Sequence, residues 1–185
     1  MARTVLFDFD GTLVDSDAAL LAPFAALAVP PERMPPLGLP LVVACEHAGI
    51  TVEGYLAHYD SDLALPFPGV EDLLAGLDRW GLCSNKQRGS GLRELARLGW
   101  EPTIALFSDD FGGRPKSLAP VLEALEVAPA DALFVGDTEH DRECAKVAGV
   151  PFALAGWNAR TSPERGDLVL ARPSDVLAAL EAPAA

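Results

Sequence analysis

Two carboxylates separated by one residue close an apolar run in VLFDFDGTLV, residues 5 to 14. If the run is a strand, residues two apart point the same way, so Asp8 and Asp10 project together where it ends. Facing carboxylates repel, and burial raises the pKa of one of them unless a cation intervenes, so the pair calls for a metal, a shared proton, or both. Gly11 offers a tight turn leading away. Three later stretches carry matching groups. LCSNK brings Ser84, whose hydroxyl and neighbouring amides can hold an anionic oxygen. GGRPKSLAP brings Lys116 in a loop ahead of a helix, where a flexible ammonium reaches a phosphate and offsets nearby acids. LFVGDTEHD brings Asp137 and, four residues on, Asp141. An isolated Asp-x-Asp would as readily cap a turn. A hydroxyl, a lysine and two pairs of acids, all able to meet in one crevice, form instead the pattern of phosphoryl transfer.

Elements that could bring these groups together are legible as alternating periodicities. Thr4 to Phe9 reads as a buried strand, and further strands are expected at Gly81 to Ser84, Ile104 to Ser108, Ala132 to Val135, Pro151 to Leu154 and Leu168 to Leu170. Between them, Val70 to Trp80, Ser90 to Leu98, Leu118 to Glu126, Asp141 to Ala148 and Ser174 to Glu181 space apolar residues three or four apart. That alternation predicts an α/β fold, a parallel sheet covered on both faces, with ligands in the crevice beyond the carboxyl ends of the strands. Residues 16–67 interrupt the alternation. DAALLAPFAALA, PLVVACEHAG and TVEGYLAHYDSDLAL read as helical, PPERMPPLGLP as loop, and no convincing strand is visible. The segment is too long for a loop and is expected to be a small helical insert after the first strand. Residues 1–15 and 68–185 would then form the core domain, ending in a disordered APAA tail.

Composition narrows the partners. A chain of 185 residues that is half hydrophobic can build one good core with a small appendage. Its net charge of −13 opposes nucleic acid or an anionic membrane surface as the main partner. Cys45, Cys83 and Cys144 are odd in number and lack metal-site spacing, so reduced thiols in a cytoplasmic protein are expected. No stretch approaches the roughly 18 apolar residues of a membrane helix. Asp8 also interrupts the first apolar run too early for a signal peptide. Oligomeric state is unreadable, with a monomer as the default.

With its motifs in this order, DFDGT at residues 8 to 12, Ser84 in LCSNK, Lys116 in RPKSLAP and GDTEHD at residues 136 to 141, the chain resembles the haloacid dehalogenase superfamily of phosphohydrolases. DGTLVDS at residues 10 to 16 is similar to its phosphoglycolate phosphatase-like branch. The resemblance implies a Rossmann-like three-layer core, with residues 16–67 as the helical cap. It further implies Asp8 as a nucleophile forming an aspartyl-phosphate, and Asp10 as general acid and then general base. Mg²⁺ would be held by Asp8, the Asp10 carbonyl, Asp137 and Asp141, and Ser84, Asn85 and Lys116 would bind the transferring phosphoryl group. The expected substrate is a small phosphate ester. Two alternatives remain open on these motifs: a sugar phosphomutase, and a catalytically silent binding module on the same fold. His140 is expected to fill its loop, and Arg33, Glu46, His47, His58 and Tyr59 to be mostly solvated surface of the insert. Trp157 would line the crevice or cover the sheet edge.

Overall fold

The computed structural model describes residues 4–112 and 114–181. The APAA tail, expected to be disordered, lies outside the described residues. Strand β1 (Thr4–Phe7) leads into a turn and the short strand β2 (Val14–Asp15), after which come helices α1 (Asp17–Ala26), α2 (Leu41–Ala48) and α3 (Val52–Ala57), then β3 (Leu65–Pro66). The chain continues through α4 (Val70–Ala75), β4 (Trp80–Cys83), α5 (Arg88–Leu98), β5 (Ile104–Leu106), α6 (Ala119–Leu125) and β6 (Ala132–Gly136). It ends with α7 (Glu139–Ala148), β7 (Phe152–Ala155), β8 (Leu168–Leu170) and α8 (Asp175–Glu181).

Six strands form one parallel sheet in the order β5-β4-β1-β6-β7-β8. β1 lies at its centre, with Phe7 opposite Leu82 on one side and Val135 on the other. Alternation along β1 divides the core: Val5 and Phe7 pack with Leu73, Leu95 and Val176, whereas Leu6 packs with Val121, Leu125 and Ala145. Helices α4, α5 and α8 therefore cover one face and α6 and α7 the other, giving three layers. Parallel strands buried on both faces need the continuous apolar runs that this sequence supplies.

Residues 16–67 hold a cluster of their own, in which Phe24, Cys45 and Tyr55 are buried against Val29, Met34 and Leu56. Gly49 closes α2 at φ +69°, and the Thr51 hydroxyl accepts from Gly54 N (3.0 Å) to open α3. This region differs from the sequence expectation in two respects: TVEGYLAHYDSDLAL is α-helical only over Val52–Ala57, with a short 3₁₀ turn at Ser61–Leu63, and a strand is present. That strand, β3, pairs antiparallel with β2, Val14 facing Pro66 and Asp15 facing Leu65, while Phe67 N donates to Leu13 O. The chain entering the insert is thereby tied to the chain leaving it. A two-residue strand containing proline carries no periodicity to read. Cys45 and Cys83 are buried, Cys144 is half-buried, and all three are free. Among the described residues no helix is long and apolar enough to cross a membrane.

Candidate active site

All the chemistry-bearing groups lie at or beyond the carboxyl ends of β1, β4, β5 and β6, where the backbone leaves the sheet. β1 ends at Phe7, two residues earlier than the apolar run suggested. Past it, Phe9 O accepts from Thr12 N, Leu13 N and Val14 N, so Asp10 sits in a turn rather than on an extended strand. Alternation therefore stops before Asp10, and the two acids do not form an isolated facing pair. Each has its own lysine. Lys116 Nζ donates to Asp8 Oδ1 (2.6 Å), and Lys86 Nζ donates to Asp10 Oδ1 (2.8 Å).

Asp8 instead gathers with the acids of the β6 end. Single carboxylate oxygens of Asp8, Asp137 and Asp141 lie within 4.8 Å of one another. Lys116 bridges two of them, with Asp141 Oδ1 at 2.5 Å from Nζ. The other oxygen of Asp141 accepts from Asp137 N (3.1 Å), Thr138 N (2.9 Å) and the Thr138 hydroxyl (2.6 Å), a reciprocal cap that opens α7 and fixes the carboxylate. Asp137 accepts from Asn158 Nδ2 (3.0 Å), which also donates to Gly11 O (2.9 Å). Gly11, at φ +79°, presses so closely on Asp137 that a Cβ there would lie 2.1 Å from Oδ2. Glycine is required at that turn both for its backbone angle and for this approach.

Burial, opposed by Lys116 and reinforced by Asp141, pushes the Asp8 carboxyl up to about 7. Burial together with Asp8 and Asp141 pushes Asp137 up to about 8. Both directions report negative charge crowded out of water, which a cation would relieve. The donor set is wholly oxygen, so Asp8, Asp137 and Asp141 fit a hard divalent ion such as Mg²⁺. Burial lowers the Lys116 pKa, but Asp141 and Asp8 outweigh it and hold the ammonium well above its ordinary range.

Ser84 and Asn85 follow β4. The Ser84 hydroxyl accepts from Lys86 N (3.2 Å), and Asn85 Oδ1 accepts from Lys116 N (2.8 Å). Asn85 Nδ2 reaches across to Gly38 O in the insert (2.8 Å). The structure thus brings Asp8, Asp10, Ser84, Asn85, Lys116 and Asp137 to the lining of one cavity, roofed by residues 16–67. Asp141 stands behind Lys116 and Asp137, almost wholly buried.

Sequence reasoning missed a second network. Lys86 Nζ meets Asp10, Glu94 Oε2 (3.2 Å) and the Tyr59 hydroxyl (2.8 Å), and that hydroxyl donates to Glu94 Oε1 (2.6 Å). Burial works against the Lys86 charge, yet Asp10 and Glu94 outweigh it and keep its pKa raised. Burial pushes Glu94 up, against the pull of Lys86. One signal was available in the sequence: Glu94 is an acid on the stripe of α5 shared by Gly91, Leu95 and Leu98, which faces inward. Tyr59 is not solvated surface, whereas Arg33, Glu46, His47 and His58 are exposed, as is His140. Trp157 packs on the core and donates Nε1–H to Thr12 O (2.9 Å), bracing the turn from the loop after β7 rather than covering the sheet edge at β8.

Comparison with known proteins follows the same lines. The sequence profile described as "Haloacid dehalogenase-like hydrolase" matches residues 5–155. A phosphoglycolate phosphatase of Xylella fastidiosa is 31% identical over 189 residues, covering 86% of this chain and 82% of that one. One from Aquifex aeolicus is 31% identical over 202 residues, covering 95% of each. A crystal structure from Lactobacillus plantarum, provisionally named for the same enzyme, superposes with a TM-score of 0.74 at 25% identity. It covers 96% of this chain and 99% of that one.

Proposed function

The chain belongs to the haloacid dehalogenase-like hydrolases and is a phosphatase of that type, and from this premise we propose that it hydrolyses a small phosphomonoester through an aspartyl-phosphate on Asp8. The observation that carries the reading is the division of labour in one cavity: an acid paired with Lys116 beside two further carboxylates, and a second acid held apart on Lys86. In the first step an Asp8 carboxylate oxygen attacks phosphorus, the bond to the ester oxygen breaks, and Asp10 gives that oxygen a proton. In the second, Asp10 takes a proton from water, the hydroxyl oxygen attacks phosphorus, and the acyl-phosphate bond breaks to return Asp8 and release inorganic phosphate. Proton transfer from a distinct carboxyl is what separates this chemistry from dehalogenation.

In this reading Lys116 neutralises the phosphoryl oxygens, and the Ser84 hydroxyl with the Asn85 amide orients them. Asp8, Asp137 and Asp141, with the Asp10 carbonyl, would hold Mg²⁺, which supplies further neutralisation of the transferring group when bound. The roof formed by residues 16–67 limits water and limits the size of the ester. The relatives' names make phosphoglycolate one candidate within this class. The reading is tested by phosphate release from a panel of esters, with Mg²⁺ and with chelator, for wild type and Asp8→Asn. Metal-dependent release lost in the variant is expected. A folded protein that releases phosphate from no ester would return the choice to the mutase or the silent module.

A further inference from the structure

We propose that the cavity selects an ester whose leaving group is uncharged and apolar, a small alkyl or aryl phosphate rather than one bearing a second anion; this rests on the phosphatase reading above. The acids and lysines that handle phosphate all lie on the core side of the cavity. Its opposite wall comes from the insert and is mostly apolar, with Leu20, Phe24, Leu39, Leu41, Ala44 and Leu56 beside Ser16, Tyr55 and Tyr59. The leaving group must project toward that wall, since the phosphoryl end is committed to Asp8 and Lys116.

An anionic leaving group needs a cation there, and those available are already engaged. Among the described residues lining the cavity the cations are Lys86, Lys116 and Arg160. Lys86 has three N–H donors facing three acceptors: Asp10, Glu94 and the Tyr59 hydroxyl. Lys116 lies between Asp8 and Asp141 at the phosphoryl end. Arg160 sits at the rim, 42% exposed, and pairs with Asp17.

Two polar side chains of the roof are spent in the same way, and a third, the buried Ser16 hydroxyl, has no partner but carries no charge. The Tyr55 hydroxyl donates to Leu20 O (2.9 Å), and the Tyr59 hydroxyl donates to Glu94. Arg33, the guanidinium of the insert, lies against Gly49 on the outside. A carboxylate driven against this wall would lose its water and gain at most one neutral hydroxyl, that of Ser16, and no cation, which is costly. A hydrocarbon group of the same size would bury apolar surface on both sides and gain. The net charge of −13 also disfavours the approach of the more highly charged ester.

Isobutyl phosphate and phosphoglycolate form the discriminating pair, because a CH(CH₃)₂ group replaces the carboxylate with the same number of heavy atoms. Glycolate is the better leaving group, so chemistry alone favours phosphoglycolate and any reverse preference measures the cavity. With Mg²⁺ present, kcat/KM for isobutyl phosphate is expected to exceed that for phosphoglycolate by at least about tenfold. A smaller ratio, or a preference for phosphoglycolate, overturns the inference and leaves the phosphatase reading standing. Failure to release phosphate from either ester or from p-nitrophenyl phosphate, in a folded protein, overturns both. Leu37→Arg, which adds a cation to the cavity wall without touching the acids, should lower the ratio; an unchanged ratio counts against the wall as its source.

Discussion

Asp8 and Asp10 are two residues apart and each is held by a lysine, yet the two networks are built differently. The Asp8 network closes on core elements: Lys116 comes from the loop before α6, Asp137 from the end of β6, and Asp141 from the first turn of α7, where backbone amides anchor its carboxylate. The Asp10 network leaves the core, because Lys86 is shared with Glu94 of α5 and with Tyr59 of the insert. The charged partners of Asp8, the proposed nucleophile, therefore all come from the core, and among the described residues the roof reaches them only through Gly38 O on Asn85. The surroundings of Asp10, the proposed proton-transferring acid, are complete only while Tyr59 is docked, which links the seating of the insert to the geometry of Asp10.

The comparison is broken most severely at Asp8, the proposed nucleophile. Asp8→Asn should lower phosphate release by a factor on the order of 10⁴ or more with the fold retained, since an amide cannot accept the phosphoryl group. Turnover near wild type in that variant would sink the mechanism. On the other side, Lys86→Met should lower kcat on isobutyl phosphate by about 10²-fold, and far less on p-nitrophenyl phosphate, whose leaving oxygen needs little protonation. Equal losses on both esters would make Lys86 a packing residue only. The same change strands Asp10 and Glu94 without their cation, so a stability loss of about 3 kcal/mol should accompany it in denaturant titration.

Tyr59→Phe sharpens the contrast at lower cost. It removes one hydroxyl from between Lys86 and Glu94, and a loss of about 1–2 kcal/mol is expected. Its effect should fall on alkyl esters and spare p-nitrophenyl phosphate, following Lys86→Met in kind but not in size.

A pH series separates the two networks by their metal dependence. Asp8 and Asp137 rise from 3.8 to about 7 and about 8 on folding, chiefly through burial. A raised carboxyl pKa means that the folded chain keeps protons the unfolded chain has released. Stability from this source is thus full below the unfolded value and is lost as pH rises through the folded ones, between about pH 4 and pH 8. In chelator, the melting temperature should be lower at about pH 8 than at about pH 5, and Mg²⁺ should raise it more at the higher pH. A flat profile in chelator would remove the crowded-acid account of the site. Smallest of all, Trp157→Phe loses the bond to Thr12 O and should cost about 1 kcal/mol in stability with little change in turnover.

Most of the Asp8 network was readable without coordinates. Asp8, Ser84, Lys116, Asp137 and Asp141 each follow a short apolar run or precede an amphipathic one, and such boundaries are local facts of chain chemistry. The strand order was not readable, nor was the end of β1 at Phe7: Phe9 is as apolar as Phe7, and only the three amides that converge on its carbonyl turn the chain. The ribbon between Val14–Asp15 and Leu65–Pro66 escaped for a similar reason, since it pairs segments about 50 residues apart.

The sequence by itself determined the parallel α/β architecture, the helical character of the insert and the identity of the acids and of Lys116, because periodicity and residue type act over a few neighbours. Tertiary structure alone decided that the acids of the first motif would part company, that Lys86, Glu94 and Tyr59 would serve Asp10, and that the wall facing them would be apolar. Those outcomes depend on which surfaces meet when a segment of the insert, a helix and a strand end pack together. Such long-range juxtapositions leave no periodic trace in the chain.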